Sequence, residues 1–176
     1  MKKLLSLLLF LPLLAFGCVT ATQTSIQKDG ILPDFAYVVG KSETGTLQFS
    51  QSENQYTYSR NTFTLYGGDR YDVNKVPTGY YYAREVRAGR GTLSAGGQAI
   101  FTVYLEPGKV TYIGDIGVIV PDATHNPFNI MRNTAQQVNF TKSVQDNSSV
   151  AKAAIKAKYP ELAGRLDSIF VYNPAQ

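Results

Sequence analysis

From about Ile31 onward the chain runs in short stretches of β-branched and aromatic residues, cut every few positions by glycine, proline or asparagine. Punctuated runs of this kind predict an antiparallel β domain. The candidate strands are Phe35–Val39, Gly45–Ser50, Thr62–Tyr66, Gly79–Val86, Ala99–Leu105, Val110–Val120 and Gln137–Phe140. About seven strands of this length suggest two packed sheets.

The best-defined piece is QAIFTVYLEPGKVTYIGDIGVIV, residues 98–120. Phe101, Val103 and Leu105 alternate with Thr102 and Tyr104, the period of a strand buried on one face. Pro107 presets φ for the first central position of a turn, and Gly108 suits the positive φ that a type II turn needs at the second. The expectation is a hairpin. In its second strand, Gly114 and Gly117 interrupt the apolar run, which suggests a bulge or a close backbone approach. In PTGYYYAREV, residues 77–86, Tyr80, Tyr82, Arg84 and Val86 share one face while Tyr81, Ala83 and Glu85 share the other; Arg84 blurs which of them is core.

The period changes at DNSSVAKAAIKAKYP, residues 146–160. Helix-capping residues open it and Pro160 closes it, predicting one amphipathic helix over 147–159 with Lys152 and Lys156 outward. Val150, Ala154 and Ala157 fall at helical spacing, as do Ile155 and Tyr159. Glu161–Leu166 adds a further turn, and Ser168–Tyr172 reads as a last short strand.

The first 17 residues read differently. Met1-Lys2-Lys3 is positive, Leu4 to Phe16 is apolar, and Gly17 is small, the three parts of an export signal. The apolar run is shorter than the roughly 20 residues a spanning helix needs, and Pro12 interrupts it. The chain's single cysteine, Cys18, follows at once, and then a polar, threonine-rich stretch to Gly30. This arrangement resembles the lipobox of bacterial lipoproteins, although Ala15 and Phe16 stand where that class prefers leucine and a small residue. The resemblance implies lipidation of Cys18 and cleavage before it. Each buried methylene contributes about 0.8 kcal/mol, so several acyl chains hold a domain at a bilayer where one does not. The plainer reading is an ordinary signal with a chance cysteine, which would leave an unpaired thiol in an oxidising compartment. Val19 after the cysteine, in the sorting pattern of such lipoproteins, implies the outer membrane, facing the periplasm.

The expected organisation is therefore a signal peptide (1–17), a lipidated cysteine with a polar tether (18–30), and one domain (31–176). The twelve tether residues after Cys18 would reach at most about 40 Å. Removing the leader leaves 159 residues, enough for a real core, and lowers the net charge from +4 to +2. The basic balance belongs partly to the leader, so it carries no nucleic-acid expectation.

The signal, the cysteine, the proline-glycine-tyrosine strand at 77–80, the EPGKVTYIGDIG segment and the KYPEL at 158–162 together resemble a loose group of small proteobacterial envelope lipoproteins. The resemblance implies a mainly β fold: an antiparallel β-sandwich, Ig-like or transthyretin-like, with a C-terminal amphipathic helix. Its motifs are turns and strands, so it implies an address and a fold without an activity.

Candidate chemistry is sparse. His125, in PDATHNPFN, is the only histidine, so any triad or dyad must pass through it; with no second histidine and no spare cysteine, zinc lacks partners. Its bland reading is a solvated loop residue. GGDRYDVN, residues 67–74, gathers Asp69, Asp72 and Asn74 in an oxygen-rich loop that could contact calcium, although Asp and Asn also make turns for their own backbone reasons. Arg84, Arg87 and Arg90 could grip phosphate or carboxylate groups, or simply protect strand ends from edge-to-edge pairing. Tyr81, among twelve tyrosines, could belong to an interface or to a half-buried strand. No glycine-rich phosphate loop, nucleophile elbow or carboxylate pair is legible, and no cofactor is expected.

These readings lead to a non-enzymatic, lipid-anchored binding or accessory module of the cell envelope, its partner an envelope protein, lipid or glycan. The rival is a small-ligand or cell-wall enzyme with a site built from loops around Asp69, Asp72, Arg84 and His125. A third reading docks the C-terminal helix, through Lys152, Lys156 and Lys158, on anionic lipid or a partner.

Overall fold

The computed structural model describes residues 26, 30–52, 59–88, 91–94, 98–119 and 141–166. Cys18, Arg90 and His125 lie outside the described residues, as do the expected strands at 137–140 and 168–172. The described elements are, in chain order, β1 (Phe35–Ser42), β2 (Thr46–Ser50), β3 (Thr62–Leu65), β4 (Asp72–Pro77), β5 (Gly79–Ala88), β6 (Gly91–Ser94), β7 (Phe101–Leu105), β8 (Val110–Ile119), β9 (Thr141–Gln145), α1 (Ser148–Lys156) and α2 (Pro160–Arg165).

The strands form two sheets packed face to face, a β-sandwich. Sheet A has the order β4-β1-β8-β9, and sheet B the order β3-β2-β5, with β6 and β7 sharing the second edge of β5. All pairings are antiparallel except that of β1 with β8, which is parallel. Its place in the middle of sheet A follows from composition: FAYVVGKS and VTYIGDIGVI are buried almost throughout, on both faces, the pattern of covered central strands.

One face of sheet A, with Val38, Ile113, Ile116 and Val118, packs on Leu47, Phe49, Phe63, Leu65, Tyr81 and Val86 of sheet B. Phe49 and Phe63 are cross-strand partners whose rings stack at 4.6 Å. The opposite face, with Tyr37, Val39, Val110 and Tyr112, is covered by Ala151, Ile155, Tyr159, Leu162 and Leu166. The molecule thus has three layers: helices, sheet A, sheet B. A helix of nine residues is marginal alone, since isolated helices below roughly 12–15 residues barely persist in water, so α1 depends on this docking. Each large side chain fully buried there contributes about 1.5–3 kcal/mol.

The EPGK segment turns as expected, with Gly108 at φ +67° and Lys109 N–H donating to the Glu106 carbonyl at 3.4 Å. The expected hairpin, however, does not form. β7 pairs with β5 in sheet B, whereas β8 pairs with β1 and β9 in sheet A, so the turn carries the chain from one sheet to the other. A type II turn splays its flanking strands. β1 then captures the emerging strand: Gly108 N–H donates to the Phe35 carbonyl at 2.8 Å, and Tyr37 N–H to that of Lys109 at 2.9 Å.

Two bulges reset which residues face inward. Between Val39↔Tyr112 and Lys41↔Asp115, β8 contributes one extra residue, and Gly114 there has φ +97°. Val110, Tyr112 and Asp115 consequently meet the helical layer, while Ile113, Ile116 and Val118 enter the sandwich. In β5 the register shifts between Phe49↔Ala83 and Leu47↔Val86, so Tyr81, Ala83 and Val86 are all core and the ambiguity around Arg84 disappears.

At the C-terminus the inward stripe is Ala151, Ile155 and Tyr159, and Val150 is 57% exposed, so the buried face lies one residue over from Val150, Ala154 and Ala157. Pro160 does not end the helical region; it opens α2 at its first turn, where its missing N–H costs nothing. Two residues of the expected tether segment, Ile26 and Gly30, are described. Ile26 is buried with Tyr159 and Leu162, and the Tyr37 hydroxyl donates to the Gly30 carbonyl at 3.0 Å. Eight residue steps separate Cys18 from Ile26, a reach of at most about 28 Å.

Candidate functional site

Between the helical layer and the β3–β4 side of the sandwich lies an open cleft of about 610 Å³. β3 and β4 are edge strands of different sheets, joined by residues 66–71, and the cleft runs between them and the end of α1. Its walls come from Thr62 and Thr64 of β3, Tyr66 and Arg70 of the connection, Asp72 and Asn74 of β4, and Lys158 and Tyr159 beyond α1.

Side chains of β4 stitch the two edges together. Asp72 accepts the Tyr66 N–H at 2.5 Å, and the Asn74 side-chain amide donates to the Thr64 carbonyl at 3.3 Å. Both bonds satisfy backbone groups within or just beyond β3 that a further strand could otherwise pair, which blunts the edge. Burial raises the Asp72 carboxyl above the usual range, while the Tyr66 N–H and the Arg70 guanidinium, 3.3 Å away at Nε, pull it back down. Arg70 also lies over the Tyr66 ring at 4.9 Å and keeps 65% of its side chain exposed. Lys158 places its ammonium 5.4 Å from the centre of the Tyr159 ring and makes no ion pair among the described residues.

Behind the cleft, Asp115 is a buried carboxylate held by neutral donors. The Tyr112 hydroxyl donates to Oδ1 at 2.7 Å; the Tyr71 hydroxyl, at 3.1 Å, and the Asn147 amide, at 2.8 Å, donate to Oδ2. Asn147 is the N-cap of α1, but its side chain bonds Asp115 instead of the helix, and its N–H donates to the Tyr112 hydroxyl at 3.1 Å. Burial first, and then Asp115, raise the Tyr71 hydroxyl to about 12 and raise that of Tyr112 further. This node fastens the start of α1 to sheet A; it positions the cleft without lining it, apart from Tyr71.

Of the candidate functional residues singled out from sequence, Asp72 and Asn74 line the cleft, and so does Lys158 from the helix-docking reading. Asp72 and Asn74 belong to β4, and their side chains bond the backbone of Tyr66 and Thr64; among the described residues no three His, Cys, Asp or Glu side chains cluster. Asp69 is fully exposed, its carboxylate 4.0 Å from the Lys41 ammonium. Tyr81 is core, 0% exposed, with its hydroxyl donating to the Pro77 carbonyl at 2.8 Å, which removes it from any surface patch. Arg84 donates to the Ser52 carbonyl at 2.8 Å and stacks on Tyr82, and Arg87 lies 3.3 Å from Glu85; both sit on sheet B, and neither lines the cleft. Of the four residues of the loop-built enzyme reading, Asp72 lines the cleft, Asp69 and Arg84 do not, and His125 lies outside the described residues. Tyr66, Arg70, Lys158 and Tyr159 were not legible as a group, because they meet only through the packing of α1 on sheet A.

A sandwich with a helical layer on one sheet and a polar cleft at its stitched edge defines the class of this protein. Compared with known proteins, the chain matches no family model, no curated protein and no solved structure.

Proposed function

We propose that this is a lipid-anchored protein of the bacterial cell envelope, outer membrane and periplasm-facing, that acts as a non-enzymatic binding or accessory module. The cleft between β3, β4 and α1 is the seat for its partner. The observation that carries the reading is this cleft: a concavity of ligand size, lined by hydroxyl, amide and aromatic groups with a cation at either side. The carboxylate of its described lining, on Asp72, is already bonded to a backbone N–H and to Arg70, which suits an orienting group better than a general base. The address is supported by the leader and Cys18, and by the short reach to Ile26, which would keep the domain within about 28 Å of the lipid anchor.

The test is photocrosslinking in intact cells from position 64, in the cleft, and from position 104, on the outer face of sheet B. Wild type is compared with a Cys18→Ser form carrying a cleavable ordinary signal. One dominant adduct from position 64, absent from position 104 and from the unanchored form, is the expected result. Equal adducts from both positions, or none from position 64, would overturn the assignment of the cleft.

A further inference from the structure

We propose that the cleft selects a ligand bearing a single negative charge, a carboxylate or a phosphodiester, seated between Arg70 and Lys158. This rests on the binding-module reading above and adds the chemistry of the ligand to it.

The charge count of the lining comes first. Among the described residues the cleft is lined by two cations, Arg70 and Lys158, and one carboxylate, Asp72. Arg70 is matched by Asp72, so the charge left over is the one on Lys158. A monoanion balances it; a doubly charged phosphate monoester would exceed it and meet Asp72 as a like charge.

The two cations are also held in the manner of a receptor. Contact through Nε with Asp72 and stacking on Tyr66 limit the rotamers of Arg70 while most of its side chain stays open to solvent. A guanidinium fixed in advance loses less entropy on gripping an oxyanion. The Lys158 ammonium sits over an aromatic face, and among the described residues it has no ion pair to break before it meets a ligand. Thr62, Thr64 and the exposed ring of Tyr66 add hydroxyl groups and a stacking surface beside it.

The experiment titrates the full chain, in neutral detergent micelles, with benzoate, dimethyl phosphate and the uncharged benzamide, following the backbone amides of Tyr66 and Asp72 by NMR. At least one of the two anions should bind roughly tenfold more tightly than benzamide, and its affinity should fall with added salt. Arg70→Gln and Lys158→Gln, both changes at exposed positions, should each weaken it about fivefold, while Arg70→Lys retains part of the effect. Preference for benzoate assigns the site to a carboxylate-bearing ligand, and preference for dimethyl phosphate to a phosphodiester such as a lipid headgroup. Benzamide binding as well as the anions, neither anion binding, or anion affinity unmoved by both glutamine variants would overturn the inference. An adduct captured from position 64 alongside any of those results would leave the cleft as a binding seat and remove only its charge selectivity.

Discussion

Asp115 accepts the hydroxyl proton of Tyr112, three residues before it on β8, at 2.7 Å, and it can do so only because the bulge at Gly114 brings both side chains to the same face of sheet A. Unbulged, residues 112 and 115 would point to opposite faces. The carboxylate then gathers Tyr71 from the β3–β4 connection and Asn147 from the start of α1, so one group ties together three separate segments. Asp115→Ala would leave all three donors without their acceptor in a buried site. The expected loss is roughly 3 kcal/mol in urea unfolding at neutral pH, with Asp115→Asn costing less because one acceptor oxygen remains. A loss no larger than that of Asp69→Ala, at a fully exposed carboxylate, would show that the node does not hold the helical layer.

Alkaline pH should release the same contacts. Tyr71 and Tyr81 are raised to about 12 from an ordinary 10.0, and Tyr112 is raised as well, in each case chiefly by burial. A folded-state value above the unfolded one means that the neutral hydroxyl is favoured by the fold. The stability is therefore present in full below pH 10 and is lost as pH rises toward 12 and beyond. Unfolding free energy should be flat from pH 7 to 9 and fall above 10. Phenolate absorbance from Tyr71, Tyr81 and Tyr112 should appear only as the protein unfolds. A single smooth titration with intact folded structure would contradict the burial assigned to these hydroxyls.

Much of the fold was legible because its strands obey simple patterns. β7 alternates cleanly, as a strand covered on one face does, and Phe101, Val103 and Leu105 are its buried positions. β8 was legible as a strand, but its partner was not. The turn chemistry of Pro107-Gly108 favours a hairpin locally, while the double-sided apolar pattern of β8 demands a central place in a covered sheet, and that demand prevailed. β4 and β9 were missed because DVNKVP and TKSVQ are polar edge segments, where pairing owes more to a neighbour's backbone than to burial. The cleft was illegible for a further reason: Arg70 and Lys158 are 88 positions apart and share no local signal. Asp72 and Asn74 stood out from their chemistry alone, and their role as edge stitches required knowing that β3 lies beside them.

Two glycines should respond to alanine in opposite directions. A Cβ on Gly40 would stand 2.8 Å from Ile113 Cγ1 and 3.1 Å from Leu65 Cδ1, in the core between the sheets. Neither neighbour moves without disturbing its own packing, so Gly40→Ala should cost about 1–3 kcal/mol. Gly164 lies inside α2 with nothing within 4 Å of the added carbon, and alanine is the better helix former. Gly164→Ala should therefore stabilise by about 0.5–1 kcal/mol. Paired thermal and urea unfolding checks both signs; a harmless Gly40→Ala would mean that the sheets do not approach as closely there as the structure has them.

Tyr159 combines a well-packed ring with a buried hydroxyl that makes no hydrogen bond among the described residues. The residue is 6% exposed, its ring walls the cleft and packs beside Ile155 and Leu162, and its hydroxyl is buried with no hydrogen-bond partner among the described residues. Burial also raises its ionisation above the ordinary tyrosine value, so it remains a neutral, unpaired donor at physiological pH. An unsatisfied buried polar group costs about 1–3 kcal/mol, and removing it while keeping the ring returns part of that. Tyr159→Phe should accordingly be neutral or stabilising by up to about 1 kcal/mol, whereas Tyr159→Ala should lose about 3–5 kcal/mol with the ring. Urea unfolding of the two variants separates ring from hydroxyl. If Tyr159→Phe instead destabilises by more than about 1 kcal/mol, the hydroxyl has a partner in solution, and the wall of the cleft is wetter than its packing implies.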